Sequence, residues 1–113
     1  MADDCLFCRI ARGEIPAMLV AETGDCIAFR DIDPKAPTHV LVIPRRHVAS
    51  LADADDATLV GNLTLLAAEI AKREGLAETG YRTVINTGPD AGQSVAHLHL
   101  HLLGGRSLGW PSG

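Results

Sequence analysis

Three histidines near the C-terminus alternate with leucines: His97, Leu98, His99, Leu100 and His101 are consecutive. On an extended strand successive side chains point to opposite faces, so the histidines would share one face and the leucines the other. A neutral imidazole is a good nucleophile toward phosphorus, and the bond that it forms breaks readily in water. The pattern therefore predicts covalent catalysis at phosphorus, with the central residue, His99, as the nucleophile.

Two other interpretations of the three histidines stay open at this point. They could form a solvated polar face, although lysine, glutamate or threonine would be the common choice there. They could also bind a catalytic zinc ion. However, a strand rises about 3.3 Å per residue, so His97 and His101 would be about 13 Å apart, whereas zinc ligands lie about 2 Å from the metal. One ion cannot bind all three, and a zinc site would need two of them and a ligand from elsewhere.

A loop rich in turn-forming residues, over positions 88–94, directly precedes the histidines. The backbone N–H groups of Gly92, Gln93 and Ser94 can form a concave site for phosphate oxygens, and Ser94 adds a hydroxyl. Alone, such a loop would be interpreted as an ordinary turn. Its position predicts a phosphate site beside the nucleophile.

A pair of cysteines, Cys5 and Cys8, has the spacing of half a zinc site, and no second pair follows. Two histidines would have to complete such a site, and the alternative is two packed thiols without a metal ion. An odd number of cysteines without a secretion signal argues against a disulfide framework. The third, Cys26, lies in an apolar run and is predicted to be a small buried residue.

The elements that position these residues are predicted from periodicity and turn residues. A short helix is predicted over residues 5–11, closed by Gly13, and a long helix between residues 54 and 74, where leucine or isoleucine recurs at steps of four, three and four from Leu59 to Ile70. Strands are predicted at 18–22, 26–30, 39–43, 81–87 and 97–103. The fold class is therefore α+β: a mainly antiparallel sheet of about five strands covered by one long helix, in a single domain over residues 1–113.

Composition narrows the classes of partner. The net charge of -4 provides no basic field to hold a nucleic acid polymer, whereas one phosphorylated metabolite needs only a few donors. No apolar run approaches the roughly 20 residues that cross a bilayer, and the first four residues lack the character of a signal peptide. We therefore expect a soluble, cytoplasmic protein with neither a nucleic acid polymer nor a membrane as partner.

Five segments resemble motifs of the histidine triad (HIT) family. They are residues 92–106 (GQSVAHLHLHLLGGR), 29–32 (FRDI), 36–39 (APTH), 43–47 (IPRRH) and 110–113 (WPSG). The chain resembles most closely the histidine triad nucleotide-binding branch, the purine nucleoside phosphoramidases. The resemblance implies a HIT-like fold and hydrolysis of the P–N bond of purine nucleoside phosphoramidates, with aminoacyl adenylates as related substrates. It also implies a nucleotidyl-histidine intermediate on His99 and no cofactor requirement for catalysis.

The resemblance assigns roles to further histidines and to the cysteine pair. It implies that three histidines complete a hydrogen-bonded set around His99: His97, His101 and His39. Some bacterial relatives have a similar cysteine pair, which implies a structural zinc held by Cys5, Cys8, His47 and His97. Such a zinc would tie the N-terminal helix to the sheet and leave His99 available for chemistry.

The resemblance also assigns a nucleotide-binding set. Asp31 would accept hydrogen bonds from the ribose hydroxyls, and a turn residue is the less favoured alternative from the sequence alone. Phe29 and Ile32 would line the base pocket. Asn86, Gln93 and Ser94 would meet the phosphate or leaving group, with Ser94 also counted among the catalytic residues. Gly92, His99 and His101 complete the nucleotide-binding set.

Two other functions stay open, and the resemblance also predicts an oligomeric state. Within the family, the chain could be a dinucleoside polyphosphate hydrolase or nucleotidyl transferase. Outside catalysis, it could be a zinc-stabilised nucleotide-binding module that acts by interaction. The resemblance implies a homodimer whose C-terminal tail reaches the partner's active site. Burial at that interface would explain Trp110, because an exposed tryptophan at a chain end would be unusual in a monomer.

Overall fold

An antiparallel sheet of five strands is the framework of the fold, and it carries Phe29, His39 and His101 among the candidate site residues. In the computed structural model, which describes residues 4–113, its spatial order is β1-β2-β3-β5-β4 and every neighbouring pair is antiparallel. The strands are β1 Leu19–Glu22, β2 Cys26–Arg30, β3 Thr38–Pro44, β4 Tyr81–Val84 and β5 Leu100–Gly104. The helices are α1 Leu6–Ala11 and α2 Ala57–Arg73, with 3-10 turns at Leu51–Asp53 and Pro89–Ala91. The predicted α+β class, with one long and one short helix, is confirmed.

The long helix α2 forms where the leucine periodicity predicts it. The Asp56 carboxylate caps its first turn by accepting from the N–H groups of Thr58 and Leu59, at 3.0 and 3.2 Å. The helix stops at Arg73, and Gly75 follows in the left-handed conformation with φ of 76°. Its apolar stripe is buried against the face of the sheet formed mainly by β3 and β5.

The sheet is buried on both faces at its centre. On β3, Val40 and Val42 point to the α2 side, whereas Leu41 and Ile43 belong to a second apolar cluster on the α1 side. This alternation follows from the two-residue period of a strand. The cluster on the α1 side forms the floor on which the candidate site is built.

The prediction of a strand over residues 97–103 is wrong in its first half, because β5 begins only at Leu100. The ladder between β3 and β5 ends at the pair Val42 and Leu100. Beyond it, the Leu98 N–H donates to the Val48 carbonyl at 2.6 Å, so the backbone has turned to another partner. The alternation of side chains nevertheless persists, since Leu98, Leu100 and Leu102 are all buried on the α2 side.

The strand predicted at 81–87 is likewise shorter and ends at Val84. Residues 1–3, on which the expectation about a signal peptide partly rests, lie outside the described residues. Between residues 4 and 113 the longest helix, α2, has 17 residues, and none of the helices has the length and apolarity that crossing a membrane requires.

Candidate active site and metal site

One cavity of about 380 Å³ lies between α1, the end of β2 and the histidine segment. Its volume is within the range of small-molecule sites. Six residues predicted to act at a nucleotide site line it: Phe29, Asp31, Ile32, Ser94, His99 and His101. Apart from Arg30, the remaining wall is apolar and comes mainly from α1 and the segment that follows it. Residues from four separate parts of the chain therefore meet at one opening.

His99 has a defined tautomer in this cavity. The residue is 4% exposed, and its Nδ1 lies 2.7 Å from the backbone carbonyl oxygen of His97. A carbonyl oxygen can only accept, so Nδ1 carries the proton and donates. In the neutral ring, the lone pair is then on Nε2, which is the nitrogen needed for nucleophilic attack.

A chain of hydrogen bonds fixes the two neighbouring imidazoles. The backbone N–H of Lys35 donates to His39 Nδ1 at 3.0 Å, so the proton of neutral His39 is on Nε2. That Nε2 donates to His101 Nδ1 at 2.9 Å. The proton of neutral His101 is therefore on its own Nε2. The rings of His99 and His101 are in contact, with centroids 5.0 Å apart.

Burial keeps both of these imidazoles neutral near pH 7. It lowers the pKa of His101 to about 4, assisted by the nearby His99 and His39 rings. Burial also lowers the pKa of His39, against an opposing effect of the Asp31 charge. The tautomers assigned above are consequently those present at neutral pH.

His97 contacts His99 through its backbone, whereas its ring points elsewhere. Its Nε2 donates to the carbonyl oxygen of Pro44 at 2.9 Å, so its Nδ1 is unprotonated in the neutral ring. Burial lowers the pKa of His97, although the Pro44 hydrogen bond opposes this. The ring and the main chain of His97 thus take part in two different sites.

The second site is a cluster of two cysteines and two histidines. Cys5, Cys8, His47 and His97 each place a ligand atom within 4.8 Å of all the others. His97 Nδ1 lies 3.3 Å from Cys5 Sγ and 3.4 Å from Cys8 Sγ, and Cys8 Sγ lies 3.3 Å from His47 Nδ1. Bond lengths of about 2.3 Å to sulfur and 2.0 Å to nitrogen place tetrahedral zinc ligands about 3.5 Å apart.

The donor set fits zinc in chemistry as well as in spacing. The bond from His97 Nε2 to Pro44 leaves the Nδ1 lone pair directed at the cluster, which is how metal-binding histidines are usually oriented. Cys8 and His97 are buried, and His47 forms the exposed edge. Cys26 is not part of the cluster. It is buried among apolar residues on the α2 side, as predicted, and burial raises the pKa of its thiol.

A second cluster, Asp31, His39 and His101, has ligand atoms equally close together but a different hydrogen-bonding pattern. Coordination through His39 Nε2 would move the ring proton to Nδ1. The N–H of Lys35 points at that nitrogen, so two donors would face each other. The geometry is that of a proton-bearing chain rather than of a metal site.

Asp31 combines both roles considered for it in the sequence. Its Oδ1 accepts from the N–H of Asp33 at 2.8 Å, which is a turn interaction. Its Oδ2 lies 3.4 Å from His39 Nε2, and the carboxylate lines the cavity. The turn bond therefore orients the carboxylate toward the cavity.

The loop before the histidines is braced by Gln93. Its Oε1 accepts from the N–H of Gly88 at 3.0 Å, and its Nε2 donates to the carbonyls of Ala49 and Val95 at 2.8 and 3.0 Å. The amide is thus engaged within the protein. Of the predicted phosphate residues, only Ser94 lines the cavity, whereas Gln93, Gly92 and Asn86 do not.

Phe7 is a site residue that the sequence analysis did not single out. Its ring meets the His99 ring edge-on, with centroids 5.1 Å apart and planes at 84°, and also meets Phe29 at 5.6 Å. The spacing of Phe7 and Ile10 on α1 gives that helix an apolar face, and this was the available signal. Ile10, Ile15 and Leu41 extend the same apolar wall.

The fold and site define a small α+β protein with a histidine-lined cavity beside a cluster of two cysteines and two histidines. The HIT domain family matches residues 12–108, and the chain belongs to that family. An uncharacterised HIT-like protein of Synechococcus elongatus is 56% identical over 115 residues, with both chains fully covered. The crystal structure of a HIT family hydrolase from Legionella pneumophila is similar with a TM-score of 0.95 and 52% identity, over 97% of this chain and 100% of that one. A histidine triad nucleotide-binding protein from Candida albicans has a TM-score of 0.84 and 34% identity, over 97% and 85%.

Proposed function

We propose that the protein is a hydrolase that cleaves the P–N bond of purine nucleoside phosphoramidates, with aminoacyl adenylates as related substrates. The observation that carries the proposal is the hydrogen bond from His99 Nδ1 to the His97 carbonyl, in the wall of a cavity. It leaves an unprotonated nitrogen in a pocket that also holds a carboxylate and a serine. A HIT family hydrolase and a histidine triad nucleotide-binding protein are among the similar structures, and this supports the same activity class.

The reaction has two steps at phosphorus. His99 Nε2 attacks the phosphorus, the P–N bond breaks, and its electron pair goes to the leaving nitrogen. The Ser94 hydroxyl, in the cavity wall, passes a solvent proton to that nitrogen, so that a neutral amine departs. Water then attacks the phosphorus of the nucleotidyl group and loses one proton to solvent. The Nε2–P bond breaks, its electron pair returns to His99 Nε2, and the nucleoside monophosphate is released.

The chain from Lys35 through His39 to His101 supports the first step. It leaves the proton of His101 on Nε2, next to the His99 ring. An N–H group in that position donates to a non-bridging phosphate oxygen, which gains negative charge as the bond to phosphorus forms. Because the proton is held by a neutral ring, this donor is present throughout the neutral pH range.

The rest of the cavity suits a nucleoside. The Asp31 carboxylate accepts from the ribose hydroxyls, as a charged acceptor oriented by its turn bond. Phe29 and Phe7 supply a buried aromatic floor for the base, and Ile32, which is 99% exposed, stands at the rim. Binding the base buries Ile32, and this gives a reason for an apolar side chain in that exposed position.

We also propose that Cys5, Cys8, His47 and His97 hold a structural zinc ion. Bound zinc would tie α1, which carries the apolar wall of the cavity, to the segment of His97. Neither hydrolytic step above requires a metal ion.

Turnover of adenosine 5'-phosphoramidate by the wild type and by His99→Ala tests the function. We expect release of adenosine monophosphate by the wild type and a loss of at least about a thousandfold in kcat for the variant. Cys26→Ser is the matched control and should keep the wild-type rate, because Cys26 lies in the α2-side core and does not line the cavity. Equal rates for His99→Ala and the wild type would exclude the mechanism.

A dinucleoside polyphosphate as substrate and adenosine monophosphate as ligand separate the alternative functions. Faster cleavage of a dinucleoside polyphosphate than of the phosphoramidate would favour the other enzymatic branch of the family. Tight binding of adenosine monophosphate with no turnover of either compound would favour a binding module. A guanosine phosphoramidate in the same assay establishes the base preference.

A further inference from the structure

His97 takes part in both sites. Its ring nitrogen Nδ1 faces the two cysteines, and its backbone carbonyl accepts the His99 Nδ1 proton at 2.7 Å. The bond from its Nε2 to Pro44 leaves the ring little freedom of its own. The same residue therefore connects the two cysteines to the carbonyl that accepts from His99 Nδ1.

We propose that the metal cluster acts on catalysis by positioning the His97 carbonyl, so that metal occupancy sets the tautomer of His99. This inference rests on the proposed role of His99 as nucleophile. With the metal bound, the His97 ring is held from both of its nitrogens, and its carbonyl is fixed toward His99 Nδ1. With the metal absent, one of these two anchors is lost. His97 is on this account a positioning residue, and it does not touch the substrate.

The helix α1 provides a second connection between the metal cluster and His99. Phe7 lies in the chain between the ligands Cys5 and Cys8, and its ring contacts both histidine rings. The centroid distances are 6.0 Å to His97 and 5.1 Å to His99. Loss of the metal would release the N-terminal turn of α1 and with it the ring packed edge-on against the nucleophile.

The tautomer is the quantity that this coupling changes. In a neutral histidine, a hydrogen-bond acceptor beside one ring nitrogen favours the tautomer with the proton on that nitrogen. When the His97 carbonyl moves away, the His99 proton redistributes between Nδ1 and Nε2. Each molecule with the proton on Nε2 has no lone pair there and cannot attack phosphorus.

His39 and His101 provide an internal control for the change at His99. The tautomers of His39 and His101 are set by the Lys35 N–H, and none of these three residues is a member of the cysteine and histidine cluster. Metal removal should therefore change His99 and leave His39 and His101 as they are. A general loosening of the fold would alter all three.

Long-range proton–nitrogen correlation spectra of the protein labelled with ¹⁵N-histidine test the proposal. Zinc-loaded protein should show His99 with Nδ1 protonated and Nε2 unprotonated. After removal of zinc with a chelator, His99 should show averaged nitrogen shifts of mixed tautomers, with His39 and His101 unchanged. An unchanged His99 spectrum in protein shown to be free of zinc would overturn the proposal.

A zinc titration of His47→Ala covers the case in which metal-free protein unfolds. This variant keeps Cys5, Cys8 and His97 but lacks the exposed ligand, so it should need more zinc than the wild type. The His99 tautomer should follow zinc occupancy in both proteins. Occupancy that rises without any change at His99 would also overturn the proposal.

Kinetics on the same samples separate this inference from the proposed function. We expect kcat for adenosine 5'-phosphoramidate to fall about 10- to 100-fold on zinc removal, with KM changed less than about twofold. A tautomer that follows zinc without turnover in any sample would retain the coupling and reject the phosphoramidase activity. Turnover with an unaffected kcat would reject the coupling and retain the activity.

Discussion

His39 Nε2 donates to His101 Nδ1 across the β3–β5 pair, at 2.9 Å. Both rings are fixed as neutral tautomers, because the Lys35 N–H occupies the other nitrogen of His39. A positive charge on either ring would break this arrangement, since one nitrogen would have a proton directed at another donor. The pair therefore couples the protonation of the cavity to the stability of the fold.

The first prediction concerns stability against pH. Burial lowers the pKa of His101 to about 4 and lowers that of His39, so the unfolded chain binds protons more readily than the folded one. The free energy of unfolding should therefore decrease as the pH falls below the unfolded value of about 6.5, by up to about 1.4 kcal/mol per pH unit for each group.

Urea unfolding of metal-free protein at pH 7.0 and 5.5 measures this decrease, in a range where the carboxylates stay ionised. His101→Gln should show a smaller decrease than the wild type. Equal decreases in the two proteins would show that His101 titrates normally in the folded state.

The second prediction concerns ribose recognition. Asp31→Asn retains an oxygen to accept from the Asp33 N–H and so preserves the turn. It removes the charge that faces the cavity, and a hydrogen bond to a charged group contributes about 1.5 to 3 kcal/mol. The preference for a ribose over a 2'-deoxyribose phosphoramidate, measured as the ratio of kcat/KM, should fall about tenfold or more. A preference identical to that of the wild type would remove Asp31 from ribose binding.

The third prediction concerns metal content. Protein purified without chelator should contain about one zinc ion per chain, and Cys8→Ser should contain much less, because a thiolate ligand is lost. Cys26→Ser is the control and should bind zinc like the wild type, since Cys26 lies on the α2 side. Metal analysis that finds less than about a tenth of an equivalent in the wild type would reject the zinc site.

The fourth prediction concerns assembly. Trp110 is 84% exposed in the single chain and is its only tryptophan, and we propose that a second copy of the chain covers it. Its fluorescence emission should shift to longer wavelength on dilution as the dimer dissociates. Trp110→Ala should sediment as a monomer at concentrations where the wild type is dimeric. A wild type that sediments as a monomer at high concentration would contradict the proposed dimer.

The elements with strong periodicity could be predicted from the sequence. The leucine stripe indicated α2 and the alternation of His97 to Leu102 indicated which side chains share a face, and both depend only on local spacing. The start of β5 could not be predicted, because it depends on where the ladder with β3 ends and on Val48, which accepts from Leu98.

The contacts in the site that depend on strand order and tertiary packing could not be predicted from the spacing of residues along the sequence. His39 and His101 meet because β3 and β5 are neighbours, and the sequence does not give that order. Gln93 resembles a phosphate ligand in sequence, but its three backbone partners become known only in the folded loop. Phe7 contacts His99 because α1 packs on the face of the sheet that carries Phe29 and Leu41, and this packing is a tertiary contact.

The central claim is that His99 bonds covalently to the nucleotidyl group. The most direct test uses mixtures of the enzyme and adenosine 5'-phosphoramidate that are rapidly denatured at alkaline pH, digested and analysed by mass spectrometry, because the N–P bond is labile in acid. The account predicts an adenylyl group on the peptide of His99 in the wild type and none in His99→Ala. Rapid turnover without any adduct at early times, or an adduct on a different residue, would contradict it.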